Sequence, residues 1–248
     1  MTTPAANTKS NLLPFGVVLA LGMVLSTGIF SGAFERTRPS SRTIQVKGYA
    51  EKRITSDLAV WAGTFSARAT ELVAAYDKLQ KDLGTVTAYL EKRGIARDSI
   101  EVSAVSTIAL YKPNESGERT NEIEVYVLNQ SVTVSSADVG LVTSVANEST
   151  SLIKDGVEIS SQNPRYFYTK LDDLKLEMLA AATKDARLRA EMLAKNSGGK
   201  VGPVRSAEQG VFQITPPYST DVSGYGVNDT SSLDKTIKAI VAVEYSLK

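Results

Sequence analysis

The sequence predicts an α+β protein, with an N-terminal transmembrane helix followed by an ectodomain that has an antiparallel-rich sheet and packed helices. Three observations predict it. Residues 12–34 run for 23 positions without a charge. Beyond them, segments that alternate every second residue are interspersed with segments of helical period. Their order, β-β-α-β-β-α-β-α-β-β, lacks the strict alternation of a doubly wound parallel sheet. The organisation that follows is a short polar tail at 1–11, the membrane segment at 12–34, a tether at 35–42 and an α+β body at 43–248.

At about 1.5 Å per residue the uncharged segment reaches roughly 34 Å, enough to cross a hydrocarbon core of about 30 Å. A cleavable signal peptide is the competing reading, with Lys9 as its n-region and Ser31-Gly32-Ala33 as a small-residue cleavage site. The length of the apolar run favours an uncleaved anchor. Inside it Gly28 and Gly32 form a G-x-x-x-G pair and Gly22 with Ser26 repeats the spacing, which suits close helix packing in lipid. Arg36, Arg38 and Arg42 follow the segment and only Lys9 precedes it, so the charge rule taken alone turns the body toward the cytoplasm.

In the body, Ile44, Val46 and Gly48 alternate, and residues 58–65 are apolar on both faces, as in a central strand. Leu72, Tyr76, Leu79, Leu83, Val86 and Leu90 step by 4, 3, 4, 3 and 4, one stripe of an amphipathic helix. Thr70 is its expected N-cap and Gly94 its stop. Strands at 100–111 and 123–135 flank a Pro-, Asn- and Gly-bearing loop. A helix at 138–149 leads through Asp155-Gly156 to a strand at 157–161 that extends toward Tyr168. An Ala-rich helix follows at about 171–196 and stops at Ser197-Gly198-Gly199. A strand at 201–212, a long loop at 213–234 and a last strand close the chain. In that last strand Ile237, Ala239, Val241, Val243, Tyr245 and Leu247 occupy every second position.

Composition removes whole classes of chemistry. The 248 residues include no His and no Cys, so Ser-His-Asp and Cys-His catalysis, zinc fingers and iron–sulfur clusters are excluded. The charges balance to +1, which argues against nucleic acid as a partner. Carboxylate or lysine chemistry, hard-cation binding or no catalysis remain.

The stretch IQVKGYAEKRITSD with its helix ending KRGI and the following DSIEV, the strand YVLNQSVTV, and the block AATKDARLRAEMLAKNSGGKVG agree in order and spacing with one family. Gly48, Gly94, Asp98, Ile100, Asp185, Ala186, Arg187, Ala190, Glu191, Leu193, Ala194 and Gly202 carry the likeness. Over most of residues 43–248 the chain resembles the SIMPL-domain proteins. The anchor-like N-terminus departs from the plain signal peptide of many relatives. The resemblance implies a SIMPL-like ectodomain in the bacterial cell envelope, a link to oxidative-stress tolerance, members that build hollow ring-like homo-oligomers, and no recognised catalytic set. It turns the expected location to the bacterial inner membrane, single-pass with the C-terminal domain in the periplasm, or to the periplasm after signal cleavage. The expected partners are the chain itself and membrane lipid, with no cofactor and no metal.

Local features were weighed against structural explanations. Asp172, Asp173 and Glu177 sit where acids favour a helix N-terminus. Arg187 with Glu191 is an ordinary i,i+4 pair, and Lys184, Arg189, Lys195, Lys200 and Arg205 read as a solvated face. Ser197-Gly198-Gly199-Lys200 follows a helix and lacks the Ser or Thr of a phosphate loop. Gly224-Tyr225-Gly226 resembles a potassium filter only in letters, since a filter needs re-entrant backbone between spans. The long loop is different: Pro216, Pro217, Tyr218 and Tyr225 place aromatics in a polar context suited to contact, with disorder of the isolated loop the equal alternative. The sequence therefore points to a non-enzymatic, membrane-anchored protein that self-assembles into a ring or cage with a scaffolding or stress-protective role, the alternative being a periplasmic module that binds a small molecule, peptide or envelope polymer.

Overall fold

The computed structural model describes Gly22, Met23, Ser26 and Thr27 and then residues 42–248. The four early residues are helical, with the Ser26 hydroxyl donating to the Met23 carbonyl at 3.0 Å. The rest of the 12–34 segment, Gly28 and Gly32 included, lies outside the described residues. Among the described residues no helix is long and apolar enough to cross a membrane.

The body has both strands and helices, as expected. In chain order it comprises β1 (Thr43–Thr55), β2 (Leu58–Ala69), α1 (Leu72–Lys92), β3 (Ile100–Val102), β4 (Ser106–Pro113), β5 (Arg119–Ser136) and α2 (Val139–Glu148). There follow β6 (Glu158–Ser161), β7 (Arg165–Phe167), α3 (Leu171–Asn196), β8 (Val201–Gln209), β9 (Gln213–Thr215), β10 (Val227–Asn228) and β11 (Asp234–Leu247). Packing divides them into two units. Of the residues from 42 on, one takes 42–46 with Arg187–Ala207 and Val243–Lys248; the other takes Lys47–Ala186 and Glu208–Ala242.

In the second unit, a six-stranded sheet has the order β3-β5-β2-β6, with β4 also along β5 and β7 also along β2. All its pairings are antiparallel. On the inward face of β2, Ala59, Trp61, Phe65 and Ala67 are fully buried, and α1 and α2 close over them with Leu79, Val86, Leu90, Val142 and Val145. The outward face of β2 is only half-buried, so its two apolar faces are not equivalent. Trp61 satisfies its indole N–H by donating to Ser161 Oγ at 2.9 Å, and Ser161 donates on to the Ala146 carbonyl.

Several local expectations change. Glu71, not Thr70, is the N-cap of α1, and it caps without a side-chain hydrogen bond. The buried row of α1 begins at Ala75, leaving Leu72 and Tyr76 exposed. Gly94 ends the helix at φ +93°, a conformation that costs any other residue a Cβ clash. The single strand expected at 100–111 is two, because a bulge between Val102 and Ser106 inserts one extra residue against β5. The strand expected from 157 toward 168 is likewise β6 and β7 on β2. The 213–234 loop holds β9 and β10, paired in parallel, with β9 also antiparallel to β11.

The second sheet runs β1-β11-β9-β10, with β8 along β11. The every-second-residue pattern of β11 is borne out, Ile237, Ala239, Val241, Val243 and Tyr245 all being buried.

Candidate functional site

Several residues that carry the family likeness, Gly48, Asp185, Ala186, Arg187 and Gly202, are packing residues. A Cβ on Gly48 would stand 2.0 Å from the Ala182 carbonyl oxygen and 2.7 Å from Ala186 Cβ, so this glycine and these alanines let β1 lie directly on α3. One residue on, Asp185 Oδ2 accepts the Tyr49 backbone N–H at 2.8 Å, which occupies an amide on the outer edge of β1. In the other unit, Arg187 donates to Glu191 Oε1 at 2.6 Å and reaches the Gly202 carbonyl at 3.4 Å. Its guanidinium lies 5.4 Å from the centroid of Tyr245. Gly202 in turn leaves room for Ser246, whose Oγ would be 2.3 Å from any Cβ placed there.

Two of the acidic groups singled out in the sequence are paired. Glu177 pairs with Lys52 at 2.8 Å and Asp172 with Lys175 at 3.6 Å. A depression of about 510 Å³ is lined by Arg187, Glu191, Lys195, Lys200 and the 198–199 glycines. The backbone N–H groups of Gly198, Gly199 and Lys200 are spent on the carbonyls of Lys195, Ala194 and Lys248, so they form no phosphate cradle. Among the described residues, no group of three or more carboxylates is placed to hold a metal ion.

The contact loop is ordered from within. Gln213 is buried in β9 and its side chain exchanges hydrogen bonds with the Ser223 backbone, donating at 2.8 Å and accepting at 3.3 Å. Lys238 donates to the Ser219 carbonyl at 2.7 Å. Tyr218, beyond Pro216 and Pro217, has φ +65° and lies under the Arg53 guanidinium, 4.8 Å from its ring centroid. Tyr225 is fully exposed. It borders a groove of about 470 Å³ lined by Leu171, Lys175, Val211, Phe212, Ile214 and Val227. The structure thus brings Tyr225 to a groove and holds Tyr218 against an arginine.

Two features escaped the sequence reading. Lys235 is 2% exposed, and its ammonium donates to the carbonyls of Asp229 and Ser232 at 2.7 and 2.6 Å, with Asp229 Oδ2 at 3.6 Å. Burial pushes the Lys235 ammonium down, against the pull of Asp229. Burial pushes the Asp229 carboxyl up, but hydrogen bonds from Ser231 and Ser232 and the Lys235 charge hold it below the usual carboxylate range. The signal was present: Lys235 extends the inward alternation of β11 by one step. The second feature is the β4–β5 ribbon, on which Ile108, Leu110 and Ile123 are 47%, 43% and 37% exposed. Its end is tied by Asn114, whose Oδ1 accepts the Ser116 and Glu118 N–H groups, and by Arg119 over Tyr111 at 3.9 Å.

No curated protein matches this chain. Among known families, residues 44–245 match SIMPL, described as a protein of unknown function (DUF541). That match runs from β1 into β11 and takes in Gly48, Asp185, Ala186, Arg187 and Gly202, and the chain therefore belongs to the SIMPL family.

Proposed function

We propose that this is a non-enzymatic protein of the bacterial cell envelope, anchored in the inner membrane by residues 12–34, that assembles with copies of itself into a large ring- or cage-like oligomer and scaffolds or protects the envelope under stress. The observation that carries the reading is the exposed apolar face of β4 and β5: Ile108 is exposed at the sheet edge, and Leu110 and Ile123 are exposed where, from Leu110 and Val125 onward, β4 and β5 continue as a two-stranded ribbon. A two-stranded ribbon is marginal in water unless something packs on it. The recognisable motif residues support the same reading, since Gly48, Asp185, Ala186 and Arg187 are spent on internal packing and leave little for catalysis. Light scattering and electron microscopy of the full-length chain in detergent test it: large closed particles are expected, and a strictly monomeric particle at every concentration sinks the proposal.

A second reading rests on the groove beside Tyr225. Its apolar walls with Lys175 at the rim suit a ligand-binding module for a small molecule, peptide or envelope polymer. Thermal shift against cell-wall fragments and metabolites discriminates, because a ligand of the native state raises the melting temperature.

A further inference from the structure

We propose that β4 is one of the assembly interfaces: two copies join edge to edge, β4 against β4 and antiparallel, about a two-fold axis at Ala109, a closed pair that a ring or cage repeats through at least one further contact. This rests on the self-assembly reading and names one surface that performs it.

Edge strands expose unpaired backbone groups, and natural proteins defend them with charge, proline, short length or a cover. The other edges here are defended. On β1, Asp185 takes the Tyr49 N–H, and Lys47, Glu51, Lys52 and Arg53 follow along the strand. On the far side of β2, β6 and β7 are four and three residues long, carry Glu158 and Arg165, and have the Tyr166 N–H bonded to the Thr230 carbonyl. β4 has neither device over most of its length. Residues 103–111 carry no charge, and Lys112 and Pro113 come only at the turn. Two irregularities in its pairing leave β4 regular: Leu110 faces Val125, Tyr111 faces Ile123 and Pro113 faces Arg119, so at both shifts the extra residues belong to β5.

The strand is also complementary to itself. In an antiparallel pair, residues whose backbone groups point outward have the same parity in both copies, so an isologous axis falls on a residue. With the axis at Ala109, Ile108 lies opposite Leu110 of the second copy and Leu110 opposite its Ile108. Lys112 meets Ser106 of the second copy, and no like charges face each other. Moving the axis to Ile108 sets Leu110 opposite Ser106, and moving it to Leu110 sets Ile108 opposite Lys112, so only one apolar pair remains. Ile108 and Leu110 pair with Val127 and Val125, on the face opposite that of the buried Leu128, so both remain available to a second copy. Joined in this way, two six-stranded sheets become one continuous sheet.

The chain contains no cysteine, so a single introduced thiol reports one position. Full-length Ala109→Cys in detergent, treated with mild oxidant or a short bifunctional maleimide, should give a covalent dimer, whereas Ser160→Cys on β6 should not. Leu110→Lys, at an exposed position that leaves the fold intact by circular dichroism, should reduce the particle to a smaller species. Retention of the large particle by Leu110→Lys, or failure of Ala109→Cys to cross-link within an intact oligomer, overturns the β4 interface while the assembly reading stands. A wild-type chain that stays monomeric in both detergent and lipid overturns both.

Discussion

A Cβ at position 48 would press into backbone, the Ala182 carbonyl, which no rotamer change can relieve. Gly48→Ala should therefore cost at least the upper end of the ~1–3 kcal/mol usual for overpacking, read as a lower urea midpoint. Gly84, exposed within α1, meets nothing within 4 Å, so Gly84→Ala should stabilise the chain by about 0.5–1 kcal/mol in the same assay. Tyr49 gives a pH signature. Burial, then its hydrogen bond to Glu51 and that carboxylate's charge, push the Tyr49 phenol up to about 12. The folded chain thus holds this proton more tightly than the unfolded one does. The stability it contributes is complete below about pH 10 and is lost as the pH rises through 12. Ultraviolet titration should show a late tyrosinate step that Tyr49→Phe removes; an unchanged curve would show that the Glu51 bond does not hold the proton.

At the scale of the element, β11 enters the core through a charge. Lys235 and Asp229 are 2% and 6% exposed at their side chains, and removing only the lysine leaves a buried carboxylate without its cation. Lys235→Met should cost about 3–5 kcal/mol, and adding Asp229→Asn should recover part of it; equal losses in the single and double variants would deny the coupling. The pair also marks what could be read in advance. β11 and α1 were legible because each repeats one period long enough to fix a face. The break between β3 and β4 was not, since residues 100–111 contain no turn-forming pair and a bulge needs only one extra residue. Nor was β9, which is three residues buried by partners distant in sequence. Of the candidate contact residues, Tyr225 lies at the surface beside a groove, a placement that composition alone does not fix. Ile108 and Leu110 were invisible as a surface, because alternation shows that two residues share a face but not that the face lacks a cover.

For the whole molecule, the proposed anchor and the proposed interface would act on the same equilibrium. A β4 edge presents about seven residues, little apolar area by the standards of stable dimers, so in dilute solution it should associate weakly. Tethering copies to one bilayer converts that encounter into one at high effective concentration, a gain that in linked systems reaches roughly 10²–10⁴-fold. Assembly should therefore depend on residues 1–41 although the proposed interface at β4 lies outside them. A chain beginning at Arg42 is expected to associate with a midpoint at least tenfold higher in concentration than the full chain does in lipid, measured by sedimentation and by fluorescence transfer between labelled copies. The same comparison tests the anchor: alkaline extraction should leave the full chain with the membrane and release the shortened one. Release of both, with the longer species found cut after about residue 33, would mean that the segment is a cleaved signal and that assembly proceeds free in the periplasm. In that case the β4 edge alone would have to supply the affinity, and Leu110→Lys would abolish assembly instead of weakening it.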